Sequence, residues 1–284
     1  MEKTILIKDA YQACANIAKN HYENFPVASI FLPRALQKSI TVLYAFAREA
    51  DDIVDEGIAT PSDRLKALEI YWQQLEETLQ GNPPNKAIFI ALQDTLLQHP
   101  TLPTTLLFDL LRAFKQDITT QHYQDFSDVH AYCRLSANPI GRLLLHLTHN
   151  ATEQNCQESD AICTALQLLN FIQDLHSDIM LRNRCYLPQN EMQQFSITIN
   201  MLASKQENTD LKHLITLQLD RAKILLHSGF PLGKRLQHLF GLEIRLITNA
   251  GWFIAKQLSN RNSVYQRSIL KKWQMPLLLL KSLL

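Results

Sequence analysis

Three features of the sequence predict an all-helical fold. Apolar residues recur at spacings of three and four along nearly the whole chain, no alternating apolar–polar run stands between turn signals, and only 7 of 284 residues are glycine. Residues 5–20 open the pattern, and Lys38–Asp55 continues it through Ile40, Val42, Leu43, Phe46 and Ala47. Ser62 stands before a polar amphipathic helix that Gly81 should stop. Further helices are predicted over 85–99, 103–120, 126–150, 155–183, 208–228, 231–259 and 265–283. The breaks are short: Asn82–Pro84, Pro100–Pro103, and 184–200 around Tyr186, Leu187 and Pro188. With no fixed-period repeat and no low-complexity linker, residues 1–284 read as one domain, a bundle of about ten helices around a central cavity. The segments 126–150 and 155–183 are apolar on several faces, which suits central positions.

Composition narrows the function. Apolar residues make up 46% and charged residues 19%, a balance that favours a packed core over disorder. A net charge of +1 sets up no field for nucleic acid, which is therefore not an expected partner. The C-terminal apolar run, Pro276–Leu280, falls far short of the ~20 residues of a spanning helix. The N-terminus lacks the apolar stretch and small-residue cleavage site of a signal peptide. Cys14, Cys133, Cys156, Cys163 and Cys185 are odd in number and scattered, as reduced thiols would be. A cytosolic protein, or one resting on a membrane surface, is expected.

Acidic residues interrupt two otherwise apolar helices. Tyr44, Arg48, Asp51, Asp52 and Asp55 step by three and four among Leu43, Phe46, Ala47, Ile53 and Val54, so they share one face. A solvated helix face would read the same way, but carboxylates four apart repel, which argues for a use. The second helix places Asn170, Asp174 and Asp178 at i, i+4 and i+8, with Gln167 one turn earlier, among Leu168, Leu169, Phe171, Ile172 and Leu175. Such oxygens are costly to bury unless something pairs with them, and magnesium, which takes carboxylates together with substrate phosphates, is a fitting partner. Arg48, and Arg182 or Arg184, are candidates to contact phosphate oxygens. Two such stripes facing one another would hold a diphosphate, whose departure needs its charge neutralised. The apolar surroundings would keep water from the carbocation left behind, with Phe25, Tyr44, Phe46, Tyr132 and Phe171 as wall candidates that also read as ordinary core.

Two smaller signals are weaker. His146 and His149 are three apart but lack a third ligand, so packing or surface roles are the plainer expectation. Arg261, Arg267, Lys271 and Lys272, beside Trp273 and Leu277–Leu280, fit contact with an anionic membrane or a solvated helix end.

Together these segments resemble the squalene/phytoene synthase family over nearly the whole chain. The likeness rests on HYENFPVAS at 21–29, YAFAREADDIVDEG at 44–57, YCRLSANPIGRLLL at 132–145 and NFIQDLHSDIMLRNRCYLP at 170–188. It implies that Asp51 and Asp55 form the first magnesium motif and Asn170, Asp174 and Asp178 the second. It also places His21, Tyr44, Arg48, Gln167, Arg184 and Tyr186 among substrate contacts. Glu23–Ser29, and Gln173 where many members carry arginine, resemble the hydroxysqualene-forming branch that serves bacterial hopanoid biosynthesis. That branch takes presqualene diphosphate, releases diphosphate and captures water. No GxGxxG run is present and NADPH is not expected. Condensing siblings that join two prenyl diphosphates remain the alternative. Non-catalytic relatives with eroded aspartate motifs are a further one, against which the intact Asp51, Asp55, Asn170, Asp174 and Asp178 speak.

Overall fold

The structure is a computed structural model and describes residues 6–20, 34–268, 270 and 274–283. Every regular element among them is a helix; the one ladder contact is a parallel bridge between His122 and Cys185. By their internal contacts the residues group into two compact units.

The first unit contains α1 (Ile7–Asn20), α2 (Arg34–Asp55), α3 (Pro61–Leu79), α4 (Ala87–Gln98) and α5 (Thr105–Thr119). Helix α2 packs against the other four. Its core is aromatic: Phe46, Tyr71 and Phe89 lie within 4.9–6.3 Å of one another and are almost fully buried. Helix α3 starts two residues earlier than Ser62 suggested. Thr60 is the N-cap, its hydroxyl accepting from the Asp63 N–H at 3.2 Å, and Pro61 takes the first helical position, where its missing N–H costs nothing. At the other end Gly81 adopts φ +92°, the left-handed stop that glycine makes cheap.

The second unit contains α6 (Phe126–Ser136), the start of α7 (Asn138–Leu147), α8 (Glu153–Gln173), α9 (Leu175–Arg182), the short α10 (Gln189–Gln194) and α11 (Ile199–Ala203), then α12 (Thr209–Arg235), α13 (His238–Ser259) and α14 (Met275–Leu283). Residues from Leu143 to Asn150 belong to the first unit. Helix α8 is central here, packed on α6, α12 and α13.

Several predicted boundaries move. The segment 126–150 is two helices with Ala137 between them, and 155–183 is two helices meeting at Asp174. The stretch 184–200 holds α10 and the start of α11, and from 265 on the α-helix among the described residues is α14. The break expected before Pro231 does not occur, and α12 runs through it to Arg235. Packing outweighs the roughly 3 kcal/mol cost of an internal proline. At Gly229 a Cβ would come within 2.4 Å of Ile162 Cγ1, so the helices touch backbone to side chain. One turn beyond the proline, Arg235 reaches Glu158 at 2.6 Å and Asn155 at 2.8 Å, pinning the last turn to α8. His149 lies past the end of α7 at φ 57°, so it shares no helix face with His146. No helix among the described residues is long and apolar enough to cross a membrane.

Candidate active site

In the first unit, α2 turns Tyr44, Arg48, Asp51, Asp52 and Asp55 to a half-buried face while Val42, Phe46, Ala50 and Val54 enter the core. Arg48 is engaged by carboxylates of its own stretch: Nη2 stands 2.6 Å from Asp52 and 3.1 Å from Glu56, and Nη1 3.4 Å from Asp51. Burial, reinforced by Asp55, pushes the Asp51 carboxyl up to about 7; Arg48 offsets part of this, and Asp117 and Asp52 add to it. Asp117, on α5, is an acidic neighbour that the sequence did not single out. Nothing in the pattern of α5 marks it, because its relation to Asp51 arises only when α5 packs on α2.

Two further residues hold α2 in place. Tyr71 of α3 donates its hydroxyl to the Phe46 carbonyl at 3.0 Å, inside the core. Arg64 donates to the carbonyls of Ile53 and Gly57 at 2.9 Å and of Ala59 at 3.2 Å, closing the turn that follows Asp55. Carbonyls at a helix end have no intrahelical partner, and one guanidinium serves several of them here.

In the second unit the three acceptors do not lie on one straight helix. Asp174 is both the end of α8 and the start of α9, with φ −103° and ψ 10°. The i+4 spacing nevertheless survives the bend, since Asp174 N–H donates to the Asn170 carbonyl at 2.9 Å and Asp178 N–H to the Asp174 carbonyl at 2.8 Å. Asn170 is exposed; Asp174 and Asp178 are half-buried. Each aspartate has a cation. Arg267 stands 3.2 Å from Asp174, and Arg182 stands 3.2 Å from Asp178. Burial raises the Asp174 carboxyl, with Arg267 and Arg182 pulling it back.

The remaining predicted residues divide by depth. Gln167 is half-buried on α8, whereas Arg184 is buried and its N–H bonds to the Asp178 carbonyl at 3.0 Å. Tyr186 stacks on Phe171 at 3.9 Å, and Tyr132 and Tyr123 complete a group of four rings beside the second cluster. Gln173 is buried, its amide donating to the Ser268 carbonyl. It therefore ties α8 to the segment that carries Arg267. Phe46 belongs to the aromatic core of the first unit rather than to a free wall. His21, Phe25, the Glu23–Ser29 segment, Lys271, Lys272 and Trp273 lie outside the described residues.

Both clusters fit magnesium in kind. Their oxygens are hard ligands, and the burial that raises Asp51, reinforced by repulsion from Asp55, is what a divalent cation would offset. Among the described residues no three His, Cys, Asp or Glu side chains gather into a ready-made metal cage.

Known proteins give the same outline. The family model described as squalene/phytoene synthase matches residues 18–275. A hydroxysqualene synthase of Zymomonas mobilis is 32% identical over 93% of this chain and 89% of its own length. A 15-cis-phytoene synthase of Synechococcus elongatus is 26% identical over 76% of this chain and 73% of its own. Among solved structures, the squalene synthase HpnC of Alicyclobacillus acidocaldarius superposes with a TM-score of 0.83 at 30% identity, covering 92% of this chain and 97% of that one. With its all-helical isoprenoid-synthase fold, the chain belongs to the squalene/phytoene synthase family.

Proposed function

We propose that this protein is a hydroxysqualene synthase, converting presqualene diphosphate and water into hydroxysqualene, inorganic diphosphate and a proton, with residues 1–284 acting as one catalytic domain. The observation that carries the catalytic part is the half-buried carboxylate group around Asp51, whose charge is disfavoured by burial and by Asp55 beside Arg48. A solvated surface face would have no reason to accept that cost. Magnesium, when bound by Asp51 and Asp55 of the first unit or by Asn170, Asp174 and Asp178 of the second, would supply charge neutralisation to a departing diphosphate. Arg48 and Arg267, now paired with carboxylates, would exchange those partners for phosphate oxygens. The ring group of Tyr132, Phe171 and Tyr186 offers π faces to an electron-poor carbon and excludes bulk water from it.

The branch is supported by relatives named hydroxysqualene synthase at 30–32% identity over 88–93% of this chain. Gln173 supports it too, because a neutral side chain serves there as a backbone tether in place of a phosphate-binding cation. The deciding experiment incubates purified protein and magnesium with presqualene diphosphate or farnesyl diphosphate and identifies the products. Hydroxysqualene from the first substrate, unchanged in rate or identity by NADPH, is expected. Squalene formed only with NADPH would move the protein to another branch.

A further inference from the structure

The terminal helix α14 is mounted with an apolar side outward. Leu278 and Ser282 form its inner face, where Asn249 of α13 donates to the Ser282 hydroxyl at 2.9 Å. Leu277, Leu280 and Leu283, spaced by three, occupy the opposite arc and are 62%, 60% and 61% exposed. An ordinary surface helix reverses this arrangement. Lys281 borders the leucine arc and is exposed.

Beside this arc a cavity of about 1230 Å³ opens among α12, α13, α14 and the 259–268 segment. Its lining includes Lys223, Lys256, Arg261, Arg267 and Lys281 and no aspartate or glutamate. The chain as a whole carries a net charge of only +1, so this gathering of cations is local. Lys223 and Arg267 have carboxylate partners, Asp220 at 3.0 Å and Asp174 at 3.2 Å. Arg261 donates to the Gln266 carbonyl, but its Nη2 is buried without a hydrogen-bond partner among the described residues. Burial pushes this guanidinium down to about 10, with Glu207 opposing. Apolar side chains flanked by cations are the surface chemistry that anionic lipid recognises.

We infer that α14 docks the protein on an anionic bilayer. Leu277, Leu280 and Leu283 enter the boundary between headgroups and acyl chains, and Lys256 and Lys281 meet the lipid phosphates. A second copy of the chain is the poorer occupant, because a two-fold contact would set the same lysines against themselves. The sequence signalled basic residues near the C-terminus, but Lys223 and Lys256 join them only through the packing of α12 and α13. The inference concerns this surface and holds whichever branch reaction the protein performs.

The test is co-sedimentation of the whole protein with phosphatidylcholine vesicles, with and without phosphatidylglycerol. Wild-type protein should pellet with the anionic vesicles, be released by high salt and remain largely free with the neutral ones. Lys256→Ala/Lys281→Ala should lower the vesicle partition coefficient by about thirtyfold, each lysine near such a surface being worth ~1 kcal/mol. Leu277→Glu/Leu280→Glu should abolish binding while leaving the thermal midpoint and turnover of detergent-dispersed substrate unchanged. If the leucine variant fails to fold, the lysine variant still decides. No pelleting of wild-type protein, or pelleting unaffected by the lysine pair, would overturn the inference. So would a concentration-dependent dimer in light scattering that the same variants dissolve.

Discussion

Arg64 donates from Nη1 to the carbonyl of Ile53 at 2.9 Å, across the turn that ends the helix bearing Asp51 and Asp55. The same guanidinium also holds the carbonyls of Gly57 and Ala59. Removing it leaves the last turn of α2 to water. Arg64→Ala should cost about 2 kcal/mol in urea unfolding, within the usual range for hydrogen bonds to a charged group. It should also raise the magnesium concentration needed for half-maximal turnover, with kcat at saturating magnesium largely kept. A kcat loss that extra magnesium cannot restore would show that Arg64 does more than position the first motif.

Ionisation of Asp51 works against the fold. Its carboxyl is raised from 3.8 to about 7, so the folded protein holds a proton that the unfolded chain has given up between those values. The cost is absent below the unfolded value, grows through that window and is complete above about 7. Asp51→Asn should therefore raise the thermal midpoint at pH 8 and leave it nearly unchanged at pH 4. Magnesium should stabilise wild-type protein more at pH 8 than at pH 5.5, and the variant little at either. Turnover should fall by about a hundredfold or more in Asp51→Asn, and likewise in Asp174→Asn. Equal magnesium responses in wild type and variant would remove Asp51 from the metal site.

How far such sites can be read without coordinates depends on whether their partners are local. The stripes at Tyr44–Asp55 and Asn170–Asp178 are legible because helical spacing alone puts their members together. The stop at Gly81 is legible for the same reason. The bend at Asp174 is not, since the i+4 hydrogen bonds continue through it. Arg64 escapes notice because its acceptors are main-chain carbonyls, which carry no residue signature. Asp117 escapes because it meets Asp51 only after α5 has packed on α2, and Arg267, read as part of a basic C-terminal cluster, meets Asp174 only once its segment has folded back on the end of α8. Pro231 misleads because contacts at Gly229 and Arg235 outweigh a local preference.

The five thiols should differ sharply in reactivity. Burial pushes Cys14 and Cys133 up to about 12 and Cys163 and Cys185 to about 11, which leaves negligible thiolate at pH 8. Cys156 is half-buried and raised less strongly, its burial partly offset by Arg142. A disulfide reagent at pH 8 should modify Cys156 first, and the buried Cys14, Cys133 and Cys185 at the rate of unfolding. All five should react at once in denaturant. Rapid native labelling of Cys133 or Cys185, located by peptide mapping, would contradict the packing of the second unit.

Substrate choice is expected to follow from Gln173. Condensing two prenyl diphosphates requires two diphosphate groups to be held at once, and an arginine at this position would add a charge-assisted bond, about twice as strong as a neutral one. Here the side chain is buried and spends its amide on the Ser268 carbonyl, next to Arg267, which holds Asp174. The protein should turn over presqualene diphosphate readily and make little product from farnesyl diphosphate alone. Gln173→Ala should free the 266–268 segment, weaken the Arg267–Asp174 pair and raise KM for presqualene diphosphate by about five- to tenfold, with a smaller effect on kcat. Gln173→Arg should lose stability, because a longer cation must displace the tether in a site with little room, and should not create efficient condensation. Both substrates are compared at equal concentration for all three proteins, with products identified by mass. Efficient use of farnesyl diphosphate by the wild-type protein would overturn the assignment to the hydroxysqualene-forming branch.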